Sequence, residues 1–360
     1  MLKSMKIAIV GAGLSGLSCA FELKKYGITP TVFEKRSSIG DGLDYTISNL
    51  RIFSKFNCNP QKYYKRKYNL QLTPLSPLRK IIIKGPSNKT IVKGKLGYTF
   101  KRGIEAYSME NQLAKQVNLP IFFDTYIDMD DIKKDFDYIV WAAGDNTLSK
   151  KLGVWNSNLN TCIRISTIEG NFKTDCGFIW FDNDYAKNTY AYLLPYSKSK
   201  ANLTLVVNNI TPYNLHYYWK KFLTKENIRY RIFETRDIKY TTGFVYPLRI
   251  HNIYLVGNAA GLTENILGFG STNAIESGIM AARSIAKKLD YNKLMKEILE
   301  SVKLNHELRK FINSFENKDF DKLVSFLGLP VIKQMIYRNP FYKSKHAAQI
   351  IKLYNRFFNI

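Results

Sequence analysis

Lys6-Ile7-Ala8-Ile9-Val10-Gly11-Ala12-Gly13-Leu14-Ser15-Gly16-Leu17 opens the chain with a short apolar run, a glycine turn and the start of a helical pattern that reaches Lys25 and stops near Gly27. A β-branched and aromatic run, Thr31-Val32-Phe33, follows and ends in Glu34. The order strand, glycine turn, helix, strand, acid has a specific physical use. Gly11 permits the tight turn, Gly13 lets the backbone approach a pyrophosphate, and Gly16 lets the helix pack closely on the sheet. The helix N-terminus, around Leu14 and Ser15, then offers unpaired N–H groups and a positive dipole end to phosphates. Glu34 stands 18 residues after Gly16, near the spacing at which a carboxylate takes hydrogen bonds from an adenosine ribose. An acid there argues for an unphosphorylated ribose, hence FAD or NAD. Ala12, Lys35 and Gly42 complete the expected contacts at this end.

Three later segments separate those two cofactors. The run from Phe136 to Trp141 is an apolar strand that ends in Ala142-Ala143-Gly144, small residues that bring backbone close to a ligand. Asn252 to Val256 is another strand, ending in Gly257-Asn258-Ala259-Ala260-Gly261. Gly268-Phe269-Gly270-Ser271-Thr272-Asn273 then opens a small-residue helix from Ala274 through Ala282 to Lys287. NAD would use only the first turn. An extended FAD would use both, with its pyrophosphate at Gly11 to Gly16 and its ribityl and flavin end near Gly257, Asn258, Gly270, Ser271 and Thr272.

On these pieces, the chain resembles the FAD-dependent oxidoreductases of the geranylgeranyl reductase family, which share their architecture with p-hydroxybenzoate hydroxylase. The match spans residues 5 to about 287. It includes Glu276-Ser277-Gly278 and a stretch similar to the family's substrate-cavity signature Y-x-W-x-F-P, here Tyr190-Ala191-Tyr192-Leu193-Leu194-Pro195. Tyr192 and Leu194 stand where the family has Trp and Phe, and Asn258 stands where it has Asp. Ile39-Gly40-Asp41-Gly42 lacks the cysteine that some members carry. The resemblance implies hydride transfer from reduced flavin to a carbon–carbon double bond of an apolar, prenyl-like substrate held by Tyr190, Tyr192, Leu194 and Pro195. Tyr190 and Tyr192 are the candidate proton donors, although a tyrosine at a cavity wall more often serves packing. No second glycine fingerprint follows a strand, so the electrons would come from transiently bound NAD(P)H or a reduced carrier. A flavin monooxygenase on the same scaffold is the alternative.

The expected fold is therefore α/β: a Rossmann-like FAD-binding domain from 1–56, 97–150 and 246–290, an inserted antiparallel-sheet substrate domain from 57–96 and 151–245, and a helical region at 291–360. Lys80–Lys84 and Thr90–Lys93 flank Gly85-Pro86-Ser87-Asn88 as a hairpin. The 360 residues, 45% hydrophobic and 23% charged, read as a globular chain. No apolar run reaches the roughly 18 residues of a membrane span. The net charge of +25 would favour an acidic carrier. It is otherwise scattered and reads as a solvated surface with no nucleic-acid partner, a basic binding protein being the reading of another class. Four dispersed cysteines form no metal or disulfide pattern, and no metal site is expected. These features fit a reducing cytoplasm. The basic and apolar residues after Asp321, such as Lys333, Arg338, Ile350 and Phe357, offer a peripheral contact with the inner face of a membrane.

Overall fold

The structure is a computed structural model, described here for residues 5–51 and 59–338. In chain order, β1 (Ile7–Val10), α1 (Leu14–Lys25) and β2 (Thr31–Phe33) are followed by β3 (Tyr45–Leu50), α2 (Pro60–Tyr68), β4 (Ser76–Lys84) and β5 (Lys89–Arg102). The chain continues through α3 (Met109–Val117), β6 (Ile121–Phe122), α4 (Met129–Ile132), β7 (Tyr138–Trp141) and α5 (Thr147–Lys151). Next come β8 (Trp155–Glu169), β9 (Cys176–Trp180), α6 (Asn183–Ala186), β10 (Ala191–Pro195), β11 (Lys200–Asn208), α7 (Leu215–Lys225) and β12 (Arg231–Val245). It returns with β13 (Arg249–Ile250), β14 (Ile253–Leu255) and α8 (Ser271–Lys287), then α9 (Tyr291–Leu294), α10 (Lys296–Ile312) and α11 (Asn317–Gly328).

Two sheets organise these elements. The first has the order β13-β14-β7-β1-β2-β6; β1 pairs in parallel with β2 and β7, and β14 with β7. Its central strands β1, β7 and β14 are near-continuous apolar and aromatic runs because both faces are covered. α1 and α8 lie side by side against it. A Cβ on Gly278 of α8 would fall 2.0 Å from the Ser15 carbonyl oxygen, so the two helices meet backbone to backbone. Gly16 has the same role one layer down, where a Cβ would sit 1.9 Å from the Gly11 carbonyl oxygen.

The second sheet has eight strands in the order β12-β8-β11-β10-β9-β4-β5-β3. α7 covers one face, where Trp219 and Phe222 bury Leu193, Leu203, Leu205 and Val207. Because strand side chains alternate, Tyr190, Tyr192 and Leu194 face the opposite way, where the Tyr190 hydroxyl reaches the Leu267 carbonyl. The sheet curls enough for β3 to reach back over β11, and Thr46 donates from both N and Oγ1 to Asn202 Oδ1 at 2.8 Å. α11 packs on Leu78, Ile83 and Val92 through Phe320, Val324 and Phe326.

The structure differs from the sequence expectation in three places. β5 runs unbroken across residue 97 to Arg102, and β3, from the stretch expected in the cofactor domain, pairs with it from Leu50 to Tyr45. Cross-strand bonding extends the substrate sheet at both boundaries. One pair of that sheet, β4 with β9, is parallel. Finally, the apolar and aromatic run from Ile121 to Tyr126 predicts a strand, but the strand stops at Phe122, and Asp124 takes a left-handed φ of 51°. Of the basic apolar tail, everything from 339 on lies outside the described residues. Among the described residues no helix is long and apolar enough to cross a membrane, and no His, Cys, Asp and Glu group is placed to hold a metal.

Candidate active site

The β1–α1 turn has the form that an approaching phosphate needs. Gly13 caps α1 in extended geometry (φ −80°) with no side-chain cap bond, and the first turn carries no acid. A Cβ added to Gly13 would meet nothing within 4 Å, so open space lies against the uncapped N–H groups of Leu14 and Ser15. Gly11, by contrast, is held at φ +107° against the Ala142 carbonyl. Glu34 closes the turn: Oε2 accepts from Ala12 N at 2.8 Å and Oε1 from Arg36 N at 3.1 Å. Each carboxylate oxygen has a second lone pair for a diol. A cleft beside it is lined by Gly11, Glu34, Lys35, Tyr126, Ala143 and Lys151, among others. Gly42 lies at φ +74° against the Arg36 guanidinium.

The late turn meets the first one. A Cβ on Gly257 would fall 2.8 Å from Ser15 Oγ, and Asn258 donates to the Gly144 carbonyl at 3.3 Å. α8 begins at Gly270, again with no side-chain cap bond and no acid in its first turn. The α8 N-terminus is thus uncapped like that of α1, and the helices run in parallel with the first turn of α1 against Gly278 in the middle of α8. The Thr272 hydroxyl is engaged elsewhere. Asn49 Nδ2 and Tyr64 OH donate to it at 3.2 and 3.1 Å, tying α8 to β3 and α2. Deeper in α8, the buried Glu276 accepts from Tyr68 OH at 2.7 Å and Lys67 Nζ at 3.1 Å.

Opposite this pair of turns stands the β10 face. Tyr190, Tyr192 and Tyr240 each keep some accessible surface, yet burial pushes all three phenols up, Tyr192 and Tyr240 to about 12. The Tyr190 hydroxyl donates to the Leu267 carbonyl, and Tyr240 OH meets Thr263 Oγ1 at 2.6 Å. Thr263 in turn donates to Asn258 Oδ1 at 3.0 Å. The 262–270 loop thus holds both hydroxyls. Leu194 lies on the same face of β10, and Pro195, buried, ends the strand.

Sequence reasoning missed several groups here. Tyr45 sits 5.7 Å from the Arg102 guanidinium, and Arg102 pairs with the fully buried Glu110. Lys101, also buried, pairs with Asp44 and Glu105. Lys101 and Arg102 are consecutive in a strand and must point to opposite faces, which is the available signal that one turns inward. Glu264 is buried beneath the loop, and its carboxylate accepts from Ile266 N and Leu267 N, the latter at 2.8 Å. Burial outweighs those bonds and pushes its pKa up from 4.5 to about 7. A carboxyl raised on folding stabilises the fold fully below pH 4.5, and that contribution is lost as pH rises through 7. The expected loss is about 3 kcal/mol. Urea midpoints of wild type and Glu264→Gln, compared across this window, should diverge with pH; parallel curves would show that Glu264 does not titrate there.

Comparison with known proteins agrees with this geometry. A family model described as NAD(P)-binding Rossmann-like domain matches residues 9–66. A digeranylgeranylglycerophospholipid reductase of Methanocella arvoryzae is 23% identical over 228 residues, a match covering 56% of this chain. The chain spans 56% of that relative's length. Among solved structures, a geranylgeranyl bacteriochlorophyll reductase-like protein from Thermoplasma acidophilum superposes with a TM-score of 0.72 at 17% identity, covering 96% of this chain and 99% of the other. The flavin-dependent halogenase CmlS gives 0.62 at 12% identity, covering 99% and 78%. The chain thus carries an NAD(P)-binding Rossmann-like domain within the fold that geranylgeranyl reductase-like proteins and flavin-dependent halogenases share.

Proposed function

We propose that the protein is an FAD-dependent oxidoreductase that saturates carbon–carbon double bonds of an apolar, prenyl-like substrate. The observation that carries the reading is the open space at the uncapped Gly13 end of α1, in a turn that Glu34 closes and that Gly257 of the late turn meets at Ser15. Gly11 to Gly16 and Glu34 would hold the pyrophosphate and ribose, with Lys35 beside them. Ala143, Gly144, Gly257, Asn258 and the α8 N-terminus would hold the ribityl and ring end. Bound FAD supplies the redox step, a hydride from its reduced ring to one alkene carbon, with a proton completing the saturation. The chain's own contribution is placement. Ring faces of Tyr190, Tyr192 and Tyr240 and the Leu194 side chain wall an apolar space and keep water from the reacting carbon. The Tyr240 hydroxyl is held by Thr263, which donates to Asn258 Oδ1, and this chain would fix the Tyr240 ring beside the late turn. NAD(P)H or an acidic carrier would reload the cofactor, the latter favoured by the basic surface.

The purified protein is expected to show a flavin absorbance spectrum. After anaerobic photoreduction, prenyl-chain lipids should reoxidise it and gain mass in hydrogen pairs. The fold shared with a halogenase makes oxygen chemistry the second reading. Substrate-stimulated oxygen uptake with a hydroxylated product, and no anaerobic reoxidation, would decide for it.

A further inference from the structure

We propose that the corner of the substrate sheet formed by residues 170–173, 197–200 and 229–233 docks on an anionic lipid surface. Three chain segments meet there: Gly170 N donates to the Ser199 carbonyl at 3.0 Å, Phe172 N donates to the Lys198 carbonyl at 2.8 Å, and Arg231 stands opposite Glu169 on β8. β12 is an edge strand, and its register with β8 slips between Ile232 and Glu234, leaving Phe233 as the extra residue of a bulge. A bulge on an edge re-aims its side chain. Here Phe233 is 48% exposed, beside Ile232 at 39% and Tyr230 at 42%. Tyr230 packs on Phe172 with ring centroids 5.3 Å apart. Bulky apolar groups grouped on a surface mark a contact site.

The charges around them select the occupant. Lys173, Lys198, Lys200, Arg229 and Arg231 are all exposed at this corner. Its two acids already face cations: Glu169 faces Arg231 at 3.8 Å, and Glu234 faces Arg236 at 3.4 Å. Among the described residues, Lys173, Lys198, Lys200 and Arg229 have no carboxylate within ion-pair distance. The Arg231 guanidinium lies 4.7 Å and Lys200 Nζ 5.8 Å from the Phe233 ring, so the cations surround the apolar group they would accompany. Phe233 and Ile232 would enter the headgroup boundary while the longer basic side chains reach lipid phosphates. Each cation near such a surface strengthens binding about fivefold. The inference stands on surface residues alone and does not depend on the flavin reading.

The test is co-sedimentation of the full chain with vesicles of phosphatidylcholine alone and of equal parts phosphatidylcholine and phosphatidylglycerol. The expected result is binding to the anionic vesicles that weakens with salt. Lys198→Gln with Lys200→Gln should lower partitioning about twenty-fivefold, following the same per-charge factor. Phe233→Ser should lower it about tenfold, with melting temperature and circular dichroism unchanged. Failure of wild type to sediment, equal binding to neutral vesicles, or variants that partition like wild type would each overturn the assignment. So would capture by an acidic protein in the absence of any vesicle binding.

Discussion

Gly13→Val is expected to yield a folded protein that has lost its cofactor. Gly13 has φ −80° and ψ −173°, a region that β-branched residues occupy readily, and its Cβ would enter open space. The added Cβ therefore meets no protein atom within 4 Å beyond its chain neighbours, and replacing glycine at this helix cap costs at most about 1 kcal/mol. The branched methyls instead fill the volume through which a pyrophosphate reaches the Leu14 and Ser15 N–H groups. FAD affinity should fall on the order of a hundredfold or more, equivalent to about 2.7 kcal/mol, and the protein should purify colourless with a near-normal melting curve. Gly16→Val supplies the contrast. Its Cβ would lie 1.9 Å from the Gly11 carbonyl oxygen, so that variant should fail to fold. Flavin titration of refolded apoprotein followed by fluorescence quenching separates the cases. A Gly13→Val protein that binds FAD as tightly as wild type would remove the pyrophosphate from this turn.

The first hundred and fifty residues show why parts of this molecule can be read from sequence. β1, α1 and β2 are contiguous, and their glycines serve local geometry, so the order of residue types carries the structure. The hairpin around residues 85–88 is equally local, with Gly85 N donating to the Asn88 carbonyl at 2.9 Å. β3 is different. Tyr-Thr-Ile-Ser-Asn-Leu is an unremarkable polar and apolar mixture, and it becomes a strand because β5, some fifty residues later, pairs with it and Asn202 of β11 accepts its Thr46 N–H. Those partners are remote in sequence, and no local periodicity encodes them.

The site divides in the same way. Gly11 to Gly16, Glu34 and Gly257 were legible because backbone geometry at a turn demands small residues or a carboxylate at a fixed interval. Thr272 was legible as a helix start, but the partners of its hydroxyl were not, since Asn49 and Tyr64 arrive from other elements. Tyr240 gave no signal at all. It lies in a long alternating strand, and only the curl of the sheet brings its hydroxyl to Thr263. The buried charges were hidden for a related reason: in a chain of net charge +25, one more arginine near one more glutamate reads as surface.

Glu110→Ala should destabilise the protein by about 3–5 kcal/mol, the usual consequence of stranding one partner of a buried ion pair. Glu110 is fully buried in the first turn of α3, and its Oε1 takes the Arg102 Nε–H. Burial works to lower the Arg102 pKa; the Glu110 carboxylate, with help from Tyr45, reverses that and holds the guanidinium above its ordinary value. Without Glu110 the cation remains at the end of β5, desolvated, with Tyr45 and Tyr240 as its neighbours. The measurement is chemical unfolding of the apoprotein, so that any role of Arg102 toward FAD does not enter. The decisive companion is Glu110→Ala with Arg102→Leu. If the loss arises from an unpaired charge, removing the charge should restore most of it, because an apolar pair of similar volume is often as stable as the ion pair it replaces. If the double variant is no better than Glu110→Ala, the loss belongs to the packing of α3 on the sheet instead. The pair would then be a consequence of that packing, with Arg102 held by its aliphatic stem and its contact with Tyr45.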